Sequence, residues 1–297
     1  AARAQGVPLL LVELVRGLRR DGLVRRAPGG ASYLATDELD RVPDLPLVEW
    51  LAGTELRAMP PDLAAHAQLL ALLGDEVPLA EAEGVLAELT EAGLGGAFPL
   101  DAAAAVRRLT GRGLLVKRRG GATSFRLPLV RDAVAGAVPD ALRAGIHEAA
   151  FRYLARPGPL PEPLRLLRLA VHARESGRRS EAAAAFLALA GDRARRHAYV
   201  EAEGLYSRAL ETLPPAAAPA RLEALRGRGL MRSRVARHRD AVADLAAAGE
   251  AARALGDAAA EREALLDRAT ALDWMNDFAA SRACVEAAAA APGAPSP

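Results

Sequence analysis

The sequence predicts a mainly α-helical chain, in which short helices and one β-hairpin precede a solenoid of antiparallel helix pairs. Three observations predict it. Apolar residues recur at helical spacing through most of the 297 residues. Three short helical patterns are followed at once by two strand-like runs around paired glycines, and the last part of the chain repeats a small-residue pattern every 39 residues. The apolar fraction is 51% while aromatics make up only 4% of the chain. The core must therefore be built from alanine and leucine at close helix crossings.

The first element is an amphipathic helix over residues 7–20, with Leu10, Leu11, Leu14 and Leu18 on one face and arginines toward its C-terminal end, where they suit the helix dipole. Asp21 and Gly22 end it. The stretch Pro28–Gly30 followed by Ser32–Thr36 predicts a hairpin or irregular arm, and Pro43 and Pro46 mark a boundary. From Pro60, three helices are expected at about 61–73, 79–92 and 100–111, separated by Gly74, Pro78 and the Gly93–Pro99 loop. Strands over Leu114–Lys117 and Thr123–Leu127 then turn through Gly120 and Gly121. Three helices followed by a two-stranded wing is the winged-helix order.

Helical periodicity continues over Val130–Leu154, breaks at the prolines between 157 and 163, and resumes to the end. Tyr199, Ala202, Tyr206, Ala209 and Leu210 define one packed helix face closed by Pro214. Ala241 with Leu245 and Ala248, then Ala280 with Cys284 and Ala287, repeat it at steps of 39 from Ala202. Phe186 with Ala190, and Leu225 with Gly229, occupy the matching places on the preceding helices. Tetratricopeptide units pair two antiparallel helices with a period of about 34. A period of 39 implies the same architecture with longer helices. The resulting division is 1–45, 46–135 for the winged helix, 136–163 as connecting helices and 164–297 for the repeats.

A net charge of +2, from 39 basic and 37 acidic residues, excludes the broad basic field of a nucleic-acid coat. Cys284 is the single cysteine, which excludes an internal disulfide and accords with a cytoplasmic location. The longest apolar runs fall well below the roughly 20 residues of a membrane helix. The start at Ala1 and the loose tail Pro292–Pro297 read as the ends of an excerpt from a longer chain.

Chemical templates fail on their own residues. Lys117 is the only lysine and is followed by arginine, so no phosphate loop forms on it. Gly111-Arg112-Gly113 and Gly227-Arg228-Gly229 lack the third glycine of a dinucleotide turn and read as helix punctuation. His147-Glu148 has no second histidine four residues after the first, and His66, His172, His197 and His238 show no ligand spacing with the cysteine, so no metal is expected. His238-Arg239-Asp240 and Asp277-Phe278-Ala279 mimic two kinase tripeptides. However, the asparagine position is Leu245, the second tripeptide ends in alanine, and both fall in the same inter-helix turn of successive repeats.

Two basic constellations remain. Arg107, Arg108 and Arg112 on the third helix and Lys117, Arg118 and Arg119 in the wing can straddle a phosphate backbone or form a docking face. Asp101 and the alanines after it offer nothing to base edges, which disfavours nucleic acid. In the repeats, Arg221, Arg228, Arg232 and Arg239 step by 7, 4 and 7 along one helical face. That stripe can hold an acidic peptide, or it can be a solvated face paired with Glu223 and its neighbours.

Taken in order, several motifs resemble the STAND-type signal-transduction ATPases of bacteria, especially the regulatory tails of multidomain serine/threonine kinases and transcriptional regulators. Gly6-Val7-Pro8-Leu9-Leu10-Leu11-Val12-Glu13-Leu14 is similar to the helix that closes the family's ATPase module. Leu47–Leu51 through Met59-Pro60-Pro61 and Ala71–Gly74 resemble the linker and first winged-helix element. Arg112–Leu115, Phe125-Arg126-Leu127, Leu129–Val134 and Ile146–Ala150 resemble the third helix, the wing and the two helices that follow. Pro128 departs from the pattern, since a histidine commonly follows the wing there. The resemblance implies a non-catalytic regulatory region whose ATP and magnesium site lies upstream. Its repeats would take a protein or peptide partner, and its winged helix would dock intramolecularly on the ATPase. The other function class is a DNA-binding winged-helix regulator with a helical-repeat arm.

Overall fold

A computed structural model describes residues 53–291 and, before them, Arg19 and two short strands. The helix expected over residues 7–20, the boundary at Pro43 and Pro46, and the Leu47–Leu51 motif lie outside the described residues. Strands β1 (Val24–Arg26) and β2 (Ser32–Leu34) pair antiparallel around the Pro28–Gly30 stretch, Arg25 opposite Tyr33. The chain divides into two compact units, Ala1–Tyr153 and Leu154–Pro297, which meet inside the segment expected to connect them.

In the first unit, α1 (Pro61–Leu73) begins on a proline whose fixed φ suits the first helical position, and α2 (Leu79–Glu91) follows Pro78. Helix α3 (Ala102–Gly111) is capped by Asp101, whose carboxylate accepts the Ala104 amide at 2.6 Å. It ends at Gly113, φ 77°, with the Leu114 amide donating back to the Leu109 carbonyl at 3.1 Å. Gly111-Arg112-Gly113 is thus punctuation, as its spacing predicts. Strands β3 (Leu115–Lys117) and β4 (Thr123–Phe125) pair antiparallel with Val116 opposite Ser124, and Gly120 and Gly121 supply the positive φ of the turn.

Val77, just before α2, exchanges both backbone hydrogen bonds with Thr123 and ties the hairpin to the helices. His66 does the same for the α3 approach. Its ring nitrogens lie 2.9 Å from the Asp62 carbonyl and 3.0 Å from the Leu100 carbonyl, while Phe98 meets the ring edge-on. Leu69, Leu89, Leu109, Leu115 and Ile146 are fully buried and form the centre of the core. Each such side chain contributes roughly 1.5–3 kcal/mol by leaving water.

The helical periodicity expected over Val130–Leu154 is carried by two helices, α4 (Pro128–Gly136) and α5 (Asp140–Ala155), which hold the Leu129–Val134 and Ile146–Ala150 motifs. Pro139 has no amide to continue α4, and its fixed ring breaks the ladder there. Pro128, the departure from the family pattern, starts α4 at its first turn.

The second unit is a ladder of helices: α6 (Glu162–Glu175), α7 (Arg179–Arg195), α8 (Tyr199–Thr212), α9 (Ala218–Arg234), α10 (His238–Leu255), α11 (Ala258–Asp273) and α12 (Phe278–Ala290). Successive helices pack antiparallel through buried alanines at repeating places. Ala185, Ala224 and Ala264 serve α7, α9 and α11, and Ala209, Ala248 and Ala288 serve α8, α10 and α12. Their spacing is 39 residues in the first step and 40 in the second for both sets. The extra residue falls between Ala248 and Ala264, so the third unit is offset by one from the sequence register. Ser281 and Ala288, not Ala280 and Ala287, are buried there beside Cys284.

Five turns share one closure, in which the residue after an αL position donates its amide to a carbonyl five residues back. The αL residues are Gly177, His197, Ala236, Gly256 and Asn276. The two glycines of Gly227-Arg228-Gly229 lie inside α9, not at its end, which corrects their reading as punctuation. A methyl at Gly227 would meet the Tyr206 ring at 2.4 Å, and one at Gly229 would meet Leu245 Cγ at 2.8 Å. Glycine lets α8 and α10 approach α9 on two sides.

Candidate functional site

Two residues of the arginine stripe, Arg228 and Arg232, are used inside the ladder. Arg228 on α9 donates through Nε and Nη2 to both carboxylate oxygens of Asp244 on α10, at 2.8 and 2.7 Å. Arg232, one turn on, donates to Asp244 at 2.8 Å and to Glu203 on α8 at 2.9 Å. Asp244 is only 7% exposed at its side chain, and Arg237 donates to Glu203 from the following turn. The cluster fixes the crossing of three helices. Of the two readings of the stripe, this geometry favours the paired one for Arg228 and Arg232, with Asp244 and Glu203 as the partners in place of Glu223. Arg221 is half-buried on α9 and makes no ion pair. Arg239 lies beyond the Val235–Arg237 turn on α10, so the third step leaves the α9 face.

The basic residues of the first unit are arranged in the opposite way. Arg107, Arg108 and Arg112 come from the last turn and cap of α3, and Lys117, Arg118 and Arg119 from the end of β3 and the hairpin turn. All six are exposed and none is drawn into an ion pair. Arg112 reaches the Ala58 carbonyl at 3.2 Å and Arg118 the Ser124 hydroxyl at 2.7 Å, contacts that orient these two guanidiniums without neutralising them. In the first turns of α3, Ala102 and Ala105 are buried and Ala103 and Ala104 half-buried. Charge is therefore available on this face, and base-reading side chains are not.

A third place was not singled out from the sequence as a site. His238, the first residue of α10, stacks on Trp274 at the end of α11, with ring centroids 5.9 Å apart and planes within 5°. Trp274 is 72% exposed, and Met275 and Phe278 beside it are also open. Two clefts, of about 440 and 500 Å³, share Ala236 and His238 as common wall. A signal for it was present. The two tripeptides set aside as kinase mimics begin α10 and cap α12, and aromatic residues recur at the first position of α8, α10 and α12 as Tyr199, His238 and Phe278. In the first pair the edge is completed locally, His197 Nδ1 lying 2.7 Å from the Tyr199 hydroxyl.

Two tyrosines have shifted acidities. Burial, then the Glu223 charge, raises Tyr206 above the ordinary value of 10.0, with Arg195 opposing; burial, then Glu81, raises Tyr153. Among the described residues no three His, Cys, Asp or Glu side chains are placed to hold a metal ion, and no helix is long and apolar enough to cross a membrane.

No family model and no curated protein matches the sequence. Among solved structures, the chain is similar to the crystal structure of a Signal Transduction ATPase with Numerous Domains (STAND) protein with a tetratricopeptide repeat sensor from Pyrococcus horikoshii. The identity is 10% and the TM-score 0.34, over 94% of this chain and 53% of that one. The chain thus spans about half the length of that protein.

Proposed function

We propose that this chain is a non-catalytic regulatory and protein-interaction region of a larger bacterial signalling protein, of the STAND ATPase kind that also accompanies serine/threonine kinases. The observation that carries the reading is the contrast in charge use. The helix pairs draw Arg228 and Arg232 into a buried carboxylate cluster, while the three helices and hairpin leave six cations exposed and unpaired. An un-neutralised cluster of this kind is complementary to an anionic surface. On this reading the first unit is a winged helix that docks through Arg107, Arg108, Arg112, Lys117, Arg118 and Arg119 on an upstream nucleotide-switch domain, where ATP and magnesium would bind. A partner on the repeats shifts the population of docked and undocked states, by as much as it binds one better than the other.

The second reading, a DNA-binding winged helix, shares the same six cations. It is disfavoured by Ala102–Ala105, which leave no polar group where a recognition helix reads bases. Fluorescence anisotropy with labelled duplex DNA at low and physiological salt, beside an ATP analogue, separates the two. The regulatory reading expects neither to bind in physiological salt. Tight, sequence-selective duplex binding that Arg107→Glu/Arg108→Glu/Lys117→Glu abolishes would establish the second reading instead, and stoichiometric nucleotide binding would overturn both.

A further inference from the structure

We infer that the turn edge around His238 and Trp274 is a binding site for a short, extended acidic peptide carrying an aromatic or large aliphatic side chain. The inference rests on the interaction reading of the repeats and places the partner on the turn edge, away from Arg228 and Arg232, which the ladder pairs internally.

Trp274 presents one face to His238 and leaves most of its surface in water, although a buried tryptophan removes about 150–250 Å² from solvent. Nothing in the ladder needs it there: the turn closure at Asn276 is made by backbone hydrogen bonds of Leu272, Asp273 and their partners. The first cleft is lined by Leu230 and Trp274 together with Ser233 and Thr270. The second is lined by His238, Arg239 and Met275 among others. Because the two share a wall, one elongated ligand spans both, whereas a mononucleotide would fill one.

Charge selects an acidic ligand. Of the acids lining the clefts, Asp267 is held by Arg226 at 2.7 Å and Asp240 by Arg237 at 2.7 Å. Arg234 in the first cleft and Arg239 in the second have no acidic partner. One unpaired guanidinium lines each cleft and His238 of the aromatic stack lines both, so carboxylates near an apolar side chain match the pattern. Asp273 and Asp277 flank the Trp274 turn in sequence but line neither cleft, and Asp277 caps α12. Tryptophan and arginine are also the side chains that most often dominate peptide and protein recognition.

The test is selection of a random dodecapeptide phage library on the full chain, followed by anisotropy titration of the enriched peptides as synthetic fluorescein conjugates. Enrichment of sequences combining Asp or Glu with Phe, Trp or Leu is expected. Their affinity should fall at least tenfold for Trp274→Ala and for Arg234→Glu/Arg239→Glu, with helicity and melting temperature unchanged because these side chains are exposed and unpaired. Arg107→Glu/Arg108→Glu should bind as the parent does. Enriched peptides that bind Trp274→Ala undiminished would overturn this site and leave the interaction reading standing. No enrichment on either unit would overturn both. Preferential binding of oligothymidylate over the acidic peptides, or a concentration-dependent dimer in sedimentation that Trp274→Ala abolishes, would assign the edge to nucleic acid or to a second copy and refute the peptide.

Discussion

Replacing Asp244 by alanine removes the anion on which two arginines converge. Its carboxylate takes both fork nitrogens of Arg228 and one nitrogen of Arg232, all between 2.7 and 2.8 Å, at a side chain 7% exposed. Without it, Arg228 keeps only a long contact of 3.4 Å to the Ser207 hydroxyl, and Arg232 keeps Glu203. Exposed ion pairs contribute about 0.2–1 kcal/mol, but removing one member of a buried pair costs about 3–5 kcal/mol, because a desolvated charge is left behind. The burial of Asp244 and of its partners, at 19% and 16%, puts this substitution in the second class. A loss of about 4 kcal/mol is roughly a thousandfold in the folded-to-unfolded ratio, a large share of an ordinary stability of about 5–15 kcal/mol.

Urea unfolding followed by circular dichroism measures this loss. Glu181→Ala, which breaks the exposed pair to Arg178, is the control and should cost below about 1 kcal/mol. Adding Arg228→Met to Asp244→Ala should recover part of the loss, since the orphaned charge goes with its partner. A loss below about 1 kcal/mol for Asp244→Ala, or one that disappears in molar salt, would refute the reasoning by showing that the cluster behaves as a solvated surface pair.

Two further outcomes are expected. Ala236 adopts φ 61°, where an L side chain clashes with its own backbone, so Ala236→Gly should stabilise the chain by roughly 0.5–1 kcal/mol, read as a higher melting temperature. Tyr206 and Tyr153 hold their protons more tightly folded than unfolded, so their contribution is complete below the unfolded value near 10.0 and is lost as pH rises through the folded values. Stability should fall above about pH 10, and less steeply for Tyr206→Phe, in urea titrations across alkaline pH.

Much of the fold was legible because its causes are local. The three helices of the first unit and the hairpin are announced by proline and glycine at their ends and by apolar spacing between, and the observed bounds depart from the expected ones by one or two residues. The repeat was visible because alanine recurs wherever two helices cross closely. Over Val130–Leu154 periodicity alone does not show where one helix ends and the next begins; Pro139 makes that break.

The sequence by itself determined the helical class, the hairpin after the third helix and the period of the ladder, since propensity, turn chemistry and side-chain size act within a few residues. Only the tertiary structure decided which cations are free. Arg228 and Arg232 look like a presented stripe until Asp244 and Glu203 arrive from neighbouring helices to neutralise them, while Arg107, Arg108 and Lys117 look no different in sequence and meet no carboxylate. The same holds for Gly227 and Gly229, whose purpose is set by the rings and branches of helices on either side, and for Trp274, whose stacking on His238 joins residues 36 positions apart. Charge pairing and close approach depend on distances across the fold, and one-dimensional spacing does not contain them.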